Sequence, residues 1–288
     1  MKRIFYKTGL LLFVAAFIFS SCGQRPKVKE SKEAAPEAQT GTVEIEIFDA
    51  VKFKDQIVEI VKIAPSPGDI ADFINKTGVS YKQELTLPLE YAEKYTSVTD
   101  QCLAYGIYKF DLNYAKAYNR QDVIIPLMDV QEKLISKVGL ENERASITKF
   151  NERIKKNKEN SDSLNIIVMG MMNELAQSSS AKAEHMGAYA LTYISANIEG
   201  LYILSQLASM DKDNPNLLKP FGIQKERVTA TYKLLEIMAF APKVAPIFEK
   251  MKPIMDLYNA NQEFTAKQIS EIAPLIEALR NEIVKRAV

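Results

Sequence analysis

The chain of 288 residues has no tryptophan, one histidine and two cysteines, and its 37 basic and 36 acidic residues nearly cancel. Each shortage removes a class of function. With His185 as the sole imidazole, no paired-histidine helix motif and no Cys/His set of the kind zinc prefers can be assembled, so neither a metal nor a cofactor is expected. A charge balance near zero lacks the basic footprint that nucleic acid demands, so nucleic acid is not an expected partner. Long apolar runs are scarce as well. Gly9 to Phe19 is apolar but too short to cross a bilayer as a helix, which takes about 20 residues.

That short run is instead the apolar core of a secretory signal. Lys2, Arg3 and Lys7 precede it, and Phe19-Ser20-Ser21-Cys22 closes it with small residues before a cysteine, as signal cleavage requires. The pattern predicts a lipoprotein signal peptide over residues 1–21 and an acylated Cys22. Two or more acyl chains hold a protein stably, so the expected partner at Cys22 is a membrane. No acidic run follows Cys22, and Gly23 is not the aspartate associated with inner-membrane retention. Both features, carried over from lipoprotein families, favour the periplasmic face of the outer membrane. Residues 22–42 are poor in large apolar side chains and form a flexible linker, spanning about 25 Å as a random coil. With Cys22 acylated, Cys102 is the remaining thiol, which excludes an intramolecular disulfide.

Residues 43–288 carry the folded part, and their apolar spacing is helical. A brief alternation at Val43, Ile45 and Ile47 gives way to helical spacing from Val51 to Val61, ended by Pro65-Ser66-Pro67-Gly68. A short helix follows through Ile70, Phe73 and Ile74 and stops at Gly78. Val79 to Leu87 is irregular, and Pro88 is placed to start a helix carrying Leu89, Tyr91, Ala92 and Tyr95. Asp100 to Tyr118 is apolar on both faces and reads as a buried helix. Further helices are expected over 124–138, ended by Gly139, and over 147–158, 164–176 and 181–210. Asp211 to Pro220 is taken as a turn region, followed by helices over 224–240, 244–258 and 266–286. Glu199 is the single charge between Met186 and Ala208, yet Asn197, Glu199 and Gln206 near the middle make that segment a core helix rather than a membrane span. With few strand signals, the expected fold is an all-α multi-helix bundle forming a single compact domain after the lipidated linker.

Two helices place polar groups inside their most apolar stretches: Asp111 and Asn113 in one, Asn197 and Glu199 in the other. An unpaired buried carboxylate is expensive, so these groups need partners. If the helices face each other, Asp111 and Glu199 line an interhelical pocket walled by Tyr105, Tyr108, Tyr114, Tyr193 and Tyr202. Such a pair could act as general acid and base, or it could be a hydrogen-bonded structural network, and the second reading is favoured. Met169, Met171 and Met172 read as core filling, Cys102 as a small buried hydrophobe and Ser178-Ser179-Ser180 as a loop or cap. His185 reads as a surface or helix-start residue, and Gly170, Gly187 and Gly200 as sites of close helix contact.

Three stretches, Ala64-Pro65-Ser66-Pro67, Gly106-Ile107-Tyr108 through Asp111-Leu112-Asn113-Tyr114-Ala115, and Ile198-Glu199-Gly200-Leu201-Tyr202, resemble a group of uncharacterised helical lipoproteins of Bacteroidota. The resemblance spans most of the chain after Cys22 and implies a helical lipoprotein, with no functional residue to carry over. The expected function is a membrane-anchored periplasmic lipoprotein whose helical domain is a binding or scaffold module for a periplasmic protein or small ligand. An enzyme using the buried Asp111 and Glu199 is the alternative.

Overall fold

Two helices whose apolar residues face every direction must lie at the centre of any bundle they join, because no side of them tolerates water. The computed structural model of the chain describes residues 50–138, 140–157, 167, 186–212 and 214–287, all within a compact unit bounded by Gly41 and Val288. Among the described residues ten helices are delimited: α1 (Ala50–Ile63), α2 (Gly68–Lys76), α3 (Val98–Ala117), α4 (Gln121–Val138), α5 (Glu141–Asn157), α6 (Met186–Met210), α7 (Pro215–Gly222), α8 (Lys225–Met238), α9 (Ala245–Ala260) and α10 (Ala266–Val284). No strand occurs among the described residues, and the fold is an all-α bundle.

α3 and α6 are the central pair and pack along each other more extensively than any other two helices. α4 and α2 cover α3, α10 and α8 cover α6, α5 lies on α4, and α9 bridges α8 and α10. α6 buries side chains all round its axis, including Leu191, Ile194, Ile198, Leu201 and Leu204. No helix among the described residues is long and apolar enough to cross a membrane.

The close approach of the central pair depends on two glycines. A Cβ on Gly106 would overlap the carbonyl oxygen of Thr192 and the hydroxyl of Ser195 on α6. On Gly200 it would lie 2.7 Å from the Phe110 ring and 2.8 Å from the tip of Ile70. The first obstacle includes backbone, which cannot rotate away; the second consists of side chains.

Helix ends follow local chemistry. Ser97 caps α3 by accepting from the Asp100 amide at 3.2 Å. Thr265 and Gln268 form a reciprocal capping box on α10. Asn214 caps α7, with Pro215 in its first turn.

Two expectations are corrected. The segment taken as a turn region, Asp211 to Pro220, contains α7, because Asn214-Pro215 is itself a start signal and Leu217 and Phe221 anchor the helix in the core. The helix expected after Pro88 is only a single 3-10 turn, Leu89–Tyr91, since tertiary contacts pull this segment along α3 instead. The signal peptide, Cys22, the linker, Val43 to Ile47, Gly139, Gly170, Met169, Met171, Met172, Ser178 to Ser180 and His185 lie outside the described residues.

Gly106→Ala should lower unfolding free energy by about 1–3 kcal/mol or more, the range for overpacking a tight core, and Gly200→Ala should cost less because Phe110 and Ile70 can shift. Urea denaturation of the two variants gives the order directly.

Candidate functional site

An irregular segment that passes through a core carries unpaired backbone donors and acceptors, and these must find side-chain partners. Residues 79–96, between α2 and α3, form such a strap. It runs antiparallel to α3 and is held by one stripe of that helix. Tyr118 donates to the Val79 carbonyl at 2.8 Å, and the Tyr114 hydroxyl accepts from the Lys82 amide at 3.0 Å. Asp111 Oδ2 accepts from the Leu87 amide at 3.0 Å, and Tyr108 donates to the Pro88 carbonyl at 2.7 Å. Gln101 Nε2 donates to the Tyr95 carbonyl at 3.1 Å. Residues 108, 111, 114 and 118 recur at the three- and four-residue spacing that aligns one helical face. The strap in turn seats Leu85, Leu87, Ala92 and Tyr95 in the core.

Below the strap the two predicted carboxylates come together electrostatically. Asp111 of α3 and Glu199 of α6 are both fully buried, and each feels a shared neighbour, Arg280 of α10. Arg280 binds Glu199 through both edges of its guanidinium, Nε to Oε2 at 2.7 Å and Nη2 to Oε1 at 2.9 Å. Its Nη2 also reaches the Leu85 carbonyl at 3.5 Å, and its planar group lies 4.2 Å from the centre of the Tyr202 ring. Two carboxylates therefore face one cation, and Glu199 holds both of its paired donor edges.

Burial raises Glu199 above the ordinary carboxylate range, and the charge and hydrogen bonds of Arg280 offset only part of the rise. Burial pushes Asp111 well above the usual carboxylate range, the charge of Glu199 adds to the rise, and the Leu87 amide and Arg280 offset only part of it. Asp111 Oδ1 has no hydrogen-bond partner among the described residues. Burial and the charge of Glu199 favour the neutral form of Asp111, while Arg280 favours the charged form of Glu199.

The other predicted residues are distributed as follows. Tyr105 is buried in α3. Tyr114 stacks with Tyr81 and Tyr118, ring centres 4.6 and 5.2 Å away, and burial raises its hydroxyl to about 12. Asn113 turns to α2, where it lies against Gly68, and donates to the Lys109 carbonyl at 2.9 Å. Asn197 donates to the Tyr193 carbonyl at 3.0 Å, and Tyr193 donates to the Pro65 carbonyl at 3.0 Å. Of the predicted set, Asp111, Glu199 and Tyr202 are the neighbours of Arg280, while Asn113 and Tyr193 brace the entry to α2. Cys102 is buried in α3, and burial raises its thiol to about 12.

Sequence reasoning missed three cationic residues. Arg280 carries the site, and its position one turn beyond Ile276 and two beyond Ile272 on an apolar stripe was the available signal. Arg227 holds the Pro65–Gly68 turn through Asp69 Oδ2 at 2.8 Å, the Ser66 carbonyl at 3.1 Å and Gln224 Oε1 at 2.8 Å. Arg286 meets Asp100 Oδ1 at 2.9 Å, where Lys243 and Ser97 also converge. Burial opposes the charge of Asp100, but the hydrogen bonds from Lys243, Ser97 and Arg286 keep it below the ordinary carboxylate range.

Chemically, the arrangement holds rather than reacts. A general acid or base must reach a proton on its substrate, and here Glu199 is committed to Arg280 while Asp111 is sealed under the strap. No group of three or more His, Cys, Asp or Glu among the described residues is arranged to hold a metal ion.

Arg280→Met leaves both carboxylates without a cation and should cost about 3–5 kcal/mol, the usual penalty for breaking a buried pair. The double variant Glu199→Gln/Arg280→Met should be more stable than Arg280→Met alone, as read from denaturant midpoints. No family model, curated protein or solved structure matches the chain, so the site is interpreted from its own residues.

Proposed function

We propose that the protein is a lipoprotein held at the periplasmic face of the outer membrane through Cys22, and that its helical domain is a binding or scaffold module for an envelope protein. The anchor rests on the Phe19-Ser20-Ser21-Cys22 run behind a short basic and apolar N-terminus. The observation that carries the module reading is that the side chains expected to line a pocket are occupied by the chain's own strap. Acid–base catalysis by Asp111 and Glu199 has correspondingly little to support it.

Binding is then a task for the outer surface. Large exposed apolar side chains among the described residues are Val58, Ile63, Met210, Ile223 and Phe240. Val58 and Ile63 lie on α1, while Ile223 and Phe240 flank α8, which α1 packs against. Ile63 is 82% exposed. We assign the face formed by α1 and α8 as the contact surface.

Wild-type protein should enter the detergent-rich phase on Triton X-114 separation, and Cys22→Ala should stay in the aqueous phase. Affinity capture from detergent-solubilised membranes should retain an envelope protein that Ile63→Asp/Ile223→Asp loses. That variant should keep its stability to within about 0.5 kcal/mol per site. Aqueous partitioning of the wild type would contradict the anchor, and capture that ignores the double substitution would contradict the assigned face.

A further inference from the structure

Strap 79–96 differs from the helices around it in how it is held. Its attachment to α3 runs largely through side chains, and the contact at its middle, Leu87 amide to Asp111 Oδ2 at 3.0 Å, ends on an ionisable group with no access to water. At one end stands Gly78, whose φ of 82° lies in the left-handed region that suits glycine, and at the other stands the Ser97 cap.

The groups facing Asp111 determine what happens if it loses its proton. From α6 come Glu199 and Tyr202, from α10 Arg280, from the strap Tyr81, and from α3 itself Tyr108 and Tyr114. The tyrosines are neutral, and burial raises each of their hydroxyls. Only Glu199 and Arg280 carry charge, and they neutralise each other at 2.7 and 2.9 Å. An ionised Asp111 would be a second buried anion with no cation of its own. One amide donor from Leu87 is a weak compensation for that.

We propose that the strap is a proton-linked latch, whose opening uncovers Asp111 and releases one proton from it, so that the strap is held more firmly in acid and loosens as pH rises. With the strap closed, the carboxyl is neutral and keeps the Leu87 contact. With the strap lifted, water reaches the carboxyl, which then titrates as an ordinary aspartate near pH 3.9. The sign follows from linkage. A carboxyl whose closed-state pKa exceeds its open-state value gives its full stabilisation below the open-state value and loses it as pH climbs toward the closed-state value. Within that window each pH unit favours opening about tenfold, and above it the dependence levels off. Opening would expose Tyr108 and Arg280, which donate to strap carbonyls, and Tyr114 and Asp111, which accept from strap amides.

Amide hydrogen exchange on the whole folded protein tests this, with rates corrected for the intrinsic pH dependence of exchange. In wild type the opening constant at the Leu87 amide should rise about tenfold per pH unit between about pH 5 and the closed-state pKa of Asp111. In Asp111→Asn it should not change with pH. Core amides of α9, which the strap does not cover, should show no such slope in either protein. Glu199→Gln supplies a second arm in which Asp111 is retained: Arg280 is freed to pair with Asp111, so the slope should shrink toward zero. A flat profile in wild type, an equal slope in Asp111→Asn, or an undiminished slope in Glu199→Gln would overturn the latch.

Discussion

A buried Glu199–Arg280 ion pair with a second buried carboxylate, Asp111, in its field is the constraint around which the rest of this bundle is arranged. Glu199 engages both edges of Arg280, which joins α6 to α10, and Asp111 brings α3 to the same point. Breaking even one member leaves charge in a place water cannot reach, where uncompensated ions are strongly destabilising. Burial and the neighbouring Glu199 favour a proton on Asp111, whose Oδ2 accepts from the Leu87 amide of the strap.

Around this centre the fold solves one problem repeatedly, which is how to bury non-helical backbone. The strap is satisfied by a stripe of tyrosines and Asp111 on α3. The Pro65–Gly68 turn is satisfied by Arg227 and Tyr193. The C-terminal turn is tied back by Arg286, which meets Asp100 and the Lys243 carbonyl. In the first two cases helix side chains meet the backbone of an irregular segment, and in the third Arg286 of the turn itself reaches Asp100 on α3 and the Lys243 carbonyl.

The helical architecture was legible in the sequence because periodicity is a local property. α1 through α6 and α8 through α10 lie where apolar spacing put them, and α3 and α6 were recognised as central because their apolar residues point in all directions. That Asp111 and Glu199 need partners was also legible, since an isolated charge in an apolar helix demands one; the partners are the Leu87 amide and Arg280. Arg280 was hidden by distance along the chain: 81 residues separate it from Glu199, and on a charged C-terminal helix one more arginine looks like a solvated one. The helix expected after Pro88 failed for a similar reason. Leu89, Tyr91, Ala92 and Tyr95 have helical spacing, but the contacts that extend the segment come from Tyr108 and Gln101 on another element.

The protonation state of Asp111 is the most direct measure of the account. Carbon-13 NMR of the aspartate carboxyls, with the Asp111 resonance identified by its loss in Asp111→Asn, reads that state without perturbing the site. At neutral pH the account predicts one carboxyl resonance at the position of a protonated acid, moving only under more alkaline conditions. If every aspartate carboxyl is ionised at neutral pH, a second buried negative charge is tolerated beside Glu199, and the shared-cation account is wrong.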